Sequence, residues 1–187
     1  SDADNLHYAV DETENNEGLF LEFGVCSAKS INFIAALKSK LIIHGFDSFE
    51  GLPEDWPEMN VPKGTFASKD KNYVPPILNN VKLHVGMFDE TLPVFIKEEL
   101  KNQNIAFIHI DCDLYSSTKT IFDNLKNHIK PGCIIVFDEY FNYDGWENHE
   151  YKAFQEFIAS SGLSYEYVSF NQVHQQVTVK ITNSNTN

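Results

Sequence analysis

Basic residues and long apolar runs are both scarce in this sequence of 187 residues. Lysine and arginine together number 14 against 27 aspartates and glutamates, which gives a formal net charge of −13. Because nucleic-acid backbones and anionic membrane surfaces bind clustered basic residues, this balance argues against nucleic acid or a membrane as a partner. No apolar run approaches the ~20 residues that cross a bilayer, and no basic-then-apolar leader is present.

Cysteine is also scarce, and its spacing indicates the redox compartment. Cys26, Cys112 and Cys133 are odd in number and have no CxxC spacing. This usage is typical of free thiols in a reducing compartment. We therefore expect a cytoplasmic protein.

The composition predicts one packed domain with flexible ends. The apolar fraction is 42% and the aromatic fraction is 13%, and a chain of this length can cover both faces of a sheet. Residues 1–17 contain six acidic and no basic side chains, which predicts a mobile acidic arm. A single domain is expected over residues 18–182, followed by a disordered tail over residues 183–187.

Apolar strand-like runs alternate with helical periodicity along the chain. Strands are predicted over 19–25, 41–46, 81–85, 105–110, 133–137, 164–170 and 173–181, and helices over 30–39, 91–100, 116–128 and 147–161. This order is typical of an α/β fold with three layers and a mostly parallel sheet that has a late antiparallel strand. Residues 51–76 hold five of the seven prolines, and so long a loop usually covers a site or is mobile.

Two pairs of acidic residues follow the fourth and fifth predicted strands. Asp111 and Asp113 project to the same side if the extended backbone continues, and Asp138 with Glu139 can converge on them if the chain turns there. Ligands of open parallel sheets bind at this edge, where four carboxylates repel one another unless a cation or a proton intervenes. All-oxygen ligation favours Mg²⁺, or alternatively Mn²⁺ or Ca²⁺, over zinc. Capping the next helix is the alternative role of the first pair.

The first predicted strand runs into the sequence LEFGVCSAKS, a strand–turn–helix opening. Gly24 would allow close approach of a ligand, and Glu22 lies on the same strand face. The further glycines of a dinucleotide site are missing, which disfavours NAD and FAD but not a phosphate-free nucleoside such as S-adenosylmethionine. Asp47, at the end of the second strand, is placed to bind ribose hydroxyls. A plain tight turn at Gly24 and a turn cap at Asp47 are the alternatives.

Two histidines are candidates of lower rank. His109 lies inside a predicted strand, and we expect it to be a satisfied core residue. His149 follows the second acidic pair, where it either faces substrate or occupies an ordinary first-turn position of a helix.

Five segments carry a resemblance to a known family. EFGV with a following serine, FDSFEGLPEDW, GMFDETLP, HIDCDLYSST and PGCIIVFDEY occur in this order over about residues 19–181. They resemble the macrocin O-methyltransferase (TylF-like) family of class I S-adenosylmethionine-dependent methyltransferases, which methylate sugar hydroxyls in natural products. The resemblance implies a Rossmann-like class I methyltransferase sheet and a single methyltransferase domain over residues 18–182.

The resemblance also implies residue roles. The cofactor residues would be Glu22, Gly24 and Ser30 at the methionine end, Asp47 at the ribose, and Phe49, Gly86 and Phe88 near the adenine. The Mg²⁺ ligands would be Asp111, Asp138 and Glu139. Asp113 would be the general base, with His149 as the first replacement. Family members carry a further glycine where this chain has Ala28 or Lys29, and a longer N-terminal region that helps to close over substrate.

These observations predict a Mg²⁺-dependent O-methyltransferase acting on a hydroxyl of a small molecule or glycan, most simply a sugar. A DxD metal-dependent glycosyltransferase using a nucleotide sugar is one alternative, but the early Glu22–Gly24–Asp47 set and the short domain argue against it. A non-catalytic S-adenosylmethionine-binding protein is the other, which the altered glycine turn leaves open. The acceptor is not identified by the sequence, and the oligomeric state, including a homo-oligomer, stays open.

Overall fold

The computed structural model describes residues 1–13, 17–68, 70 and 73–184, and its centre is one sheet of seven strands. The strands are β1 Leu19–Phe23, β2 Ile43–Asp47, β3 Val81–Val85, β4 Ile105–Ile110, β5 Ile134–Phe137, β6 Leu163–Phe170 and β7 Val177–Asn183. Their order is β3-β2-β1-β4-β5-β7-β6, and β7 runs antiparallel to both of its neighbours while the other pairs are parallel. The predicted α/β sheet with a late antiparallel strand is confirmed.

Within the described ranges, five α-helices cover the two faces of the sheet. They are α1 Asp2–Asp11, α2 Lys29–Leu37, α3 Phe88–Phe95, α4 Tyr115–Leu125 and α5 Glu150–Ser161, and a π-helical segment over Ile96–Leu100 continues α3. Short 3₁₀ segments occur at Pro57–Met59 and Trp146–Asn148. Among the described residues, no helix is long and apolar enough to cross a membrane.

Side chains alternate along the strands, and each face of the sheet therefore has its own apolar core. On one face Phe20 of β1 stacks on Phe107 of β4 at 5.3 Å, within the cluster that also holds the buried side chains of α1 and α2. On the other face Phe23 stacks on Phe46 at 4.7 Å, within the cluster completed by α3, α4 and α5. Helices on both faces leave the carboxyl ends of the strands as the open edge.

The predicted mobile arm is instead a packed helix. Leu6, Ala9 and Val10 of α1 recur at helical spacing and are at most 4% exposed, and α1 contacts α2, β5, β6 and β7. Ser1 and Asp4 form a capping box, and Asp4 lies in the first turn, where acidic side chains stabilise a helix. The acidic composition was therefore a capping signal rather than a sign of a solvated arm. Residues 14–16 lie outside the described part of the chain.

The predicted disordered tail over residues 183–187 is wrong at Asn183, which still belongs to β7. Residues 185–187 lie outside the described part of the chain. For the long loop after β2 the sequence left two alternatives, covering a site or being mobile, and the structure agrees with the first. Within residues 51–68 it forms a bridge between Trp56 and Val61, and it packs Leu52 and Trp56 against Leu114 at the start of α4. It therefore covers the carboxyl edge of the sheet.

We expect Val10→Ala to lower the free energy of unfolding by roughly 2 kcal/mol, because it removes fully buried methyl groups. Tyr8→Ala, at a position of α1 that is 49% exposed, is the control and should change it by less than about 0.5 kcal/mol. Urea unfolding of both variants makes the comparison. Equal effects would mean that α1 does not pack as described.

Candidate active site

A cavity of about 1020 Å³ opens at the carboxyl ends of β1, β2, β4 and β5. Its wall contains the predicted site residues Gly24, Ser30, Asp47, Gly86, Phe88, Asp111, Asp113, Asp138 and Glu139. The long loop contributes Leu52, Pro53 and Phe66, and α1 contributes Asp2, Ala3 and Leu6. The cavity thus brings together most of the residues that the sequence predicted, and α1 joins them unexpectedly.

Asp47 holds the turn between β1 and α2. Its Oδ2 accepts hydrogen bonds from the backbone N–H groups of Val25 and Cys26 at 2.8 and 2.7 Å. Its Oδ1 accepts a hydrogen bond from the N–H of Phe49 at 2.7 Å. Since an ionised carboxylate can accept about four hydrogen bonds, Asp47 organises the turn and keeps capacity for one more donor in the cavity. The turn-cap alternative is therefore present in the structure.

Gly24 is required by the neighbouring strand as well as by the cavity. Its φ is +91°, and a Cβ there would lie 1.7 Å from the carbonyl oxygen of Asp111. The two strand ends are this close because the Asp111 N–H donates to the carbonyl oxygen of Phe23 at 2.9 Å. The sequence predicted that Gly24 allows close approach of a ligand. The structure adds a contact with the neighbouring backbone that only glycine permits.

Glu22 lies beneath the cavity and not in its wall, which corrects its predicted contact with a cofactor. It is 0% exposed. One of its oxygens accepts a hydrogen bond from Ser30 Oγ at 3.0 Å, and the other lies 2.9 Å from His109 Nδ1. The other ring nitrogen of His109 lies 3.4 Å from Asp138 Oδ1. The prediction that His109 is satisfied inside the core is confirmed, and its ring also reaches the cavity wall. Glu22 can therefore act on a ligand only through Ser30 and His109.

Asp138 has a second donor that the sequence did not reveal. Gln176 Nε2 donates to Asp138 Oδ1 at 2.6 Å, and Asn5 Nδ2 donates to Gln176 Oε1 at 2.8 Å. Gln176 is 2% exposed, so both ends of its amide are fixed by α1 and by Asp138. An amide at the start of a buried strand was the available signal, but its partners are 38 and 171 residues away in sequence.

The two acidic pairs meet at the edge of the sheet, as expected. Oxygen atoms of Asp111, Asp113 and Glu139 lie within 4.8 Å of one another, and Asp111 belongs to a second group of this size with His109 and Asp138. The three residues assigned to the metal by resemblance are thus divided between two groups that share Asp111. Asp138 turns toward His109, and Asp113 takes its place beside Glu139.

Asp113 reaches this cluster through a backbone turn and not through continued strand geometry. β4 ends at Ile110, and Asp113 has a φ of 64°, in the left-handed region. Asp and Asn tolerate this conformation better than most residues. The sequence placed Asp111 and Asp113 on one side on the condition that the extended backbone continues. That condition is wrong, although the two carboxylates converge.

Burial and mutual repulsion determine how these acids hold protons. Burial, followed by the charge of Asp138, raises the pKa of Asp111 well above its usual value. Burial and then the charge of Asp111 do the same to the pKa of Glu139, and burial raises the pKa of Asp113 to about 6. Burial alone would raise the pKa of Asp138 too, but the hydrogen bond and charge of His109 together with the hydrogen bond from Gln176 lower that pKa. The cluster therefore favours a bound cation or shared protons.

His109 is the cation nearest to these acids. Burial alone would lower the pKa of its imidazole, but hydrogen bonds with Asp138 and Glu22 outweigh burial and raise that pKa well above its usual value. An imidazolium between two carboxylates fixes the orientation of Asp138. If the imidazole were neutral it could instead join Asp111 and Asp138 as a ligand.

Besides Glu22, two more predicted site residues lie outside the cavity. Phe49 packs against the apolar cluster around Phe20 and Val25, because its positive φ of 57° turns the chain away after the Asp47 cap. His149 is 8% exposed, and its Nε2 lies 3.1 Å from Glu58 Oε2 of the long loop. His149 therefore ties the start of α5 to the loop, and the structure does not bring it to the substrate side of the cavity.

The opposite wall of the cavity is formed by two helix N-termini. Helix α2 begins after Ala28, which has a φ of 60° and makes no side-chain cap, and Lys29 and Ser30 of its first turn line the cavity. Unsatisfied N–H groups at such an end attract a carboxylate. Helix α4 contributes the hydroxyl side chains Ser116, Ser117 and Thr120, which can bind a polar acceptor.

Comparisons with known proteins agree with this geometry. Residues 21–140 match the family model described as a methyltransferase domain. A curated relative from Streptomyces olivaceus, 8-demethyl-8-(2,3-dimethoxy-alpha-L-rhamnosyl)-tetracenomycin-C 4'-O-methyltransferase, is 29% identical over 73% of this chain and 59% of that protein. The chain therefore spans less than two thirds of the length of this relative.

Two solved structures share the fold. CalS11, a calicheamicin methyltransferase, has a TM-score of 0.76 at 21% identity, over 96% of this chain and 78% of that chain. The O-methyltransferase NovP has a TM-score of 0.68 at 18% identity, over 97% of this chain and 80% of that chain. The predicted Rossmann-like methyltransferase sheet is confirmed by these similarities.

We expect Gly24→Ala to destabilise the protein far more than Gly162→Ala. Both glycines have positive φ, +91° and +70°, but the added Cβ meets the backbone of Asp111 in the first case and nothing within 4 Å in the second. Gly162→Ala, the control, should therefore lower the free energy of unfolding by about 1–2 kcal/mol because of its backbone conformation alone. Gly24→Ala should lower it clearly more. Unfolding curves of the two variants decide this, and similar losses would refute the proposed strand contact.

Proposed function

The chain belongs to the methyltransferase domain family, and from this premise we propose that it is a Mg²⁺-dependent O-methyltransferase that uses S-adenosylmethionine. The observation that carries the proposal is the position of the acidic cluster. Asp111 and its neighbours line the same cavity as the uncapped N-terminus of α2, so a metal-bound acceptor and a nucleoside cofactor can meet there. The finer assignment to the macrocin (TylF-like) group is part of this proposal.

The first part of the proposal is the cofactor site. A cofactor carboxylate suits the N-terminus of α2, where Lys29 supplies a cation and Ser30 a hydroxyl. The remaining acceptor capacity of Asp47 suits a ribose hydroxyl. Gly86 and Phe88 line the cavity at the start of α3, where an aromatic ring and an exposed backbone turn suit an adenine. Glu22 supports this site from below through Ser30.

The second part is the metal site, and the residues present fit a hard divalent cation. The donors are carboxylate oxygens, which Mg²⁺ prefers, and Glu139 Oε2 is buried without a hydrogen-bond partner among the described residues. Asp111, Asp138 and Glu139 would hold the ion, with Mn²⁺ or Ca²⁺ as substitutes. The bonds from His109 and Gln176 both go to Oδ1 of Asp138, which leaves Oδ2 to face the ion.

The third part is the reaction. When bound, Mg²⁺ lowers the pKa of an acceptor hydroxyl and S-adenosylmethionine supplies an electrophilic methyl group. Asp113 removes the hydroxyl proton, since its carboxylate lies in the cavity wall beside Asp111 and Glu139. Binding in one cavity would hold the acceptor oxygen in line with the methyl group and the sulfur that leaves as S-adenosylhomocysteine, which contributes much of the remaining acceleration. His149 is no longer the replacement base, because it faces Glu58.

The fourth part is the acceptor. The curated relative is named for methylation of a sugar hydroxyl, and the hydroxyl side chains of α4 in the cavity wall offer hydrogen bonds to such a group. We therefore propose a sugar attached to a small molecule or glycan as the substrate. We also propose that the protein is located in the reducing cytoplasm, which the three free cysteines support.

Calorimetric titration and thermal unfolding together separate this proposal from its alternatives. In the titration S-adenosylhomocysteine should bind and UDP-sugars should not. In thermal unfolding Mg²⁺ should raise the melting temperature in a concentration-dependent way. Glu139→Gln should abolish the Mg²⁺ response. Glu147→Gln, which removes the same charge at an exposed position, is the control and should preserve the response. Binding of UDP-sugars with Mg²⁺ would favour the glycosyltransferase, and cofactor binding without any turnover would favour the non-catalytic protein.

A second prediction separates a base from a ligand. Asp113→Asn keeps the size of the side chain and tolerates the positive φ, but cannot accept a proton, so turnover with a panel of rhamnosides should fall by roughly 10²–10⁴-fold. Its affinities for Mg²⁺ and S-adenosylhomocysteine should stay near those of the parent. Asp111→Asn should instead lose Mg²⁺ affinity and recover partly at high Mg²⁺. Full recovery of Asp113→Asn with added Mg²⁺ would make Asp113 a metal ligand.

A further inference from the structure

A third group of possible metal ligands lies at the β3 edge of the sheet, outside the cavity. It consists of His44 of β2, His84 of β3 and Glu99 of the π-helical segment, and one ligand atom from each lies within 4.8 Å of the others. None of the three residues lines the cavity. The residues also play no part in the proposed methyl transfer, so the group needs its own explanation.

The geometry of the two histidines follows from the strand register. Phe46 pairs with His84 across β2 and β3, and His44 lies two residues before Phe46 on the same face of the sheet. His44 Nδ1 and His84 Nε2 are consequently 3.1 Å apart. Glu99 Oε2 lies 3.7 Å from the same His44 nitrogen, and Glu99 Oε1 lies 3.9 Å from His84 Nδ1.

Aromatic packing holds both imidazole rings in place. His84 stacks on Phe46 at 4.5 Å with an interplanar angle of 13°, and Phe95 contacts the rings of His44 and His84 at 5.0 and 5.1 Å. The side chain of His44 is 6% exposed and that of His84 is 12% exposed. Rings fixed in this way lose little entropy when they bind an ion.

Burial acts on both imidazoles in the direction that favours metal binding. Burial, followed by the charge of the neighbouring His84, lowers the pKa of His44 to about 4, and burial also lowers the pKa of His84. A lower pKa reduces the competition between protons and a metal ion for the imidazole nitrogens. His44 Nδ1 and His84 Nε2 face each other at hydrogen-bond distance, so a bound ion would replace the hydrogen bond between the two rings.

We propose that His44, His84 and Glu99 form a binding site for a borderline divalent transition metal, Zn²⁺ or Co²⁺, separate from the acidic Mg²⁺ site. Nitrogen and carboxylate ligands suit these ions, whereas Mg²⁺ prefers oxygen alone. Zinc with ligands at about 2.0–2.1 Å requires the ligand atoms to lie closer together than Glu99 now permits. The carboxylate is 26% exposed and can rotate inward.

Lys82 is the built-in competitor for this ion. Its ammonium nitrogen donates to Glu99 Oε2 at 2.8 Å, so it occupies the carboxylate and adds a positive charge beside the site. Removing that charge should therefore strengthen metal binding, an effect opposite to that of removing a ligand. A merely structural role of Lys82 would not produce this result.

The supporting segment has an unusual backbone. Glu99 belongs to the π-helical turn over Ile96–Leu100 that continues α3, and such turns are rare and frequently lie at functional sites. An ion held there would join strands β2 and β3 to the end of α3. Since α3 begins with Phe88 in the cavity wall, the ion would brace one side of the proposed cofactor site.

The test is a titration of tag-free protein with Co²⁺ and with Zn²⁺, in the presence of excess Mg²⁺ to occupy the acidic cluster. Binding is followed by calorimetry and by the visible absorption of Co²⁺. We expect about one ion per chain. His84→Phe keeps an aromatic ring on Phe46 but removes the ligand, and it should weaken binding by at least roughly 10- to 100-fold.

Two further variants complete the design. Lys82→Gln should tighten binding by roughly tenfold because it removes the competing charge. His7→Ala, at an exposed histidine beside Asp11, should leave binding unchanged. Absence of binding in the folded parent, equal affinity in His84→Phe, or weaker binding in Lys82→Gln would overturn the proposal. The outcome does not depend on methyl transfer, so it is independent of the proposed function.

Discussion

Mutual repulsion among the carboxylates beyond β4 and β5 is the constraint to which the rest of the site is fitted. Asp111, Asp113, Asp138 and Glu139 line one cavity, and Asp138 is held by neighbours to which the proposed reaction assigns no step. His109 orients Asp138, Glu22 orients His109, and Gln176 adds a second donor. Without such partners, buried acids of this density would be strongly destabilising.

A further buried acid extends this arrangement beyond the cavity. Glu150, at the start of α5, is 0% exposed and accepts a hydrogen bond from the backbone N–H of Glu139 at 3.2 Å. Burial and the nearby charge of Asp113 raise the pKa of Glu150 well above its usual value. Glu150 thereby holds the turn after β5 from the side of α5.

The sequence predicted the sheet because its strands are short apolar runs bounded by turn residues, and the periodicity of the helices between them was clear. It also located the acidic cluster, since every residue of that cluster lies within three positions of the end of a strand. It failed where contacts between distant residues decide the role of a side chain. Glu22 meets His109 across 87 positions and Asn5 meets Gln176 across 171, and no local pattern records either pair. The arm was misread because total charge hid the helical spacing of Leu6 and Val10.

The backbone contact between the ends of β1 and β4 links two sites that are usually considered separately. The turn at Gly24 borders the proposed cofactor site, and Asp111 belongs to the proposed metal site. The N–H of Asp111 donates to the carbonyl oxygen of Phe23. The backbones are so close that a Cβ on Gly24 would lie 1.7 Å from the carbonyl oxygen of Asp111. A ligand that displaces one strand end must displace the other. By thermodynamic linkage, any resulting change in affinity is reciprocal. Cofactor and metal occupancy in this protein would then be coupled through two peptide units, with no moving domain between them.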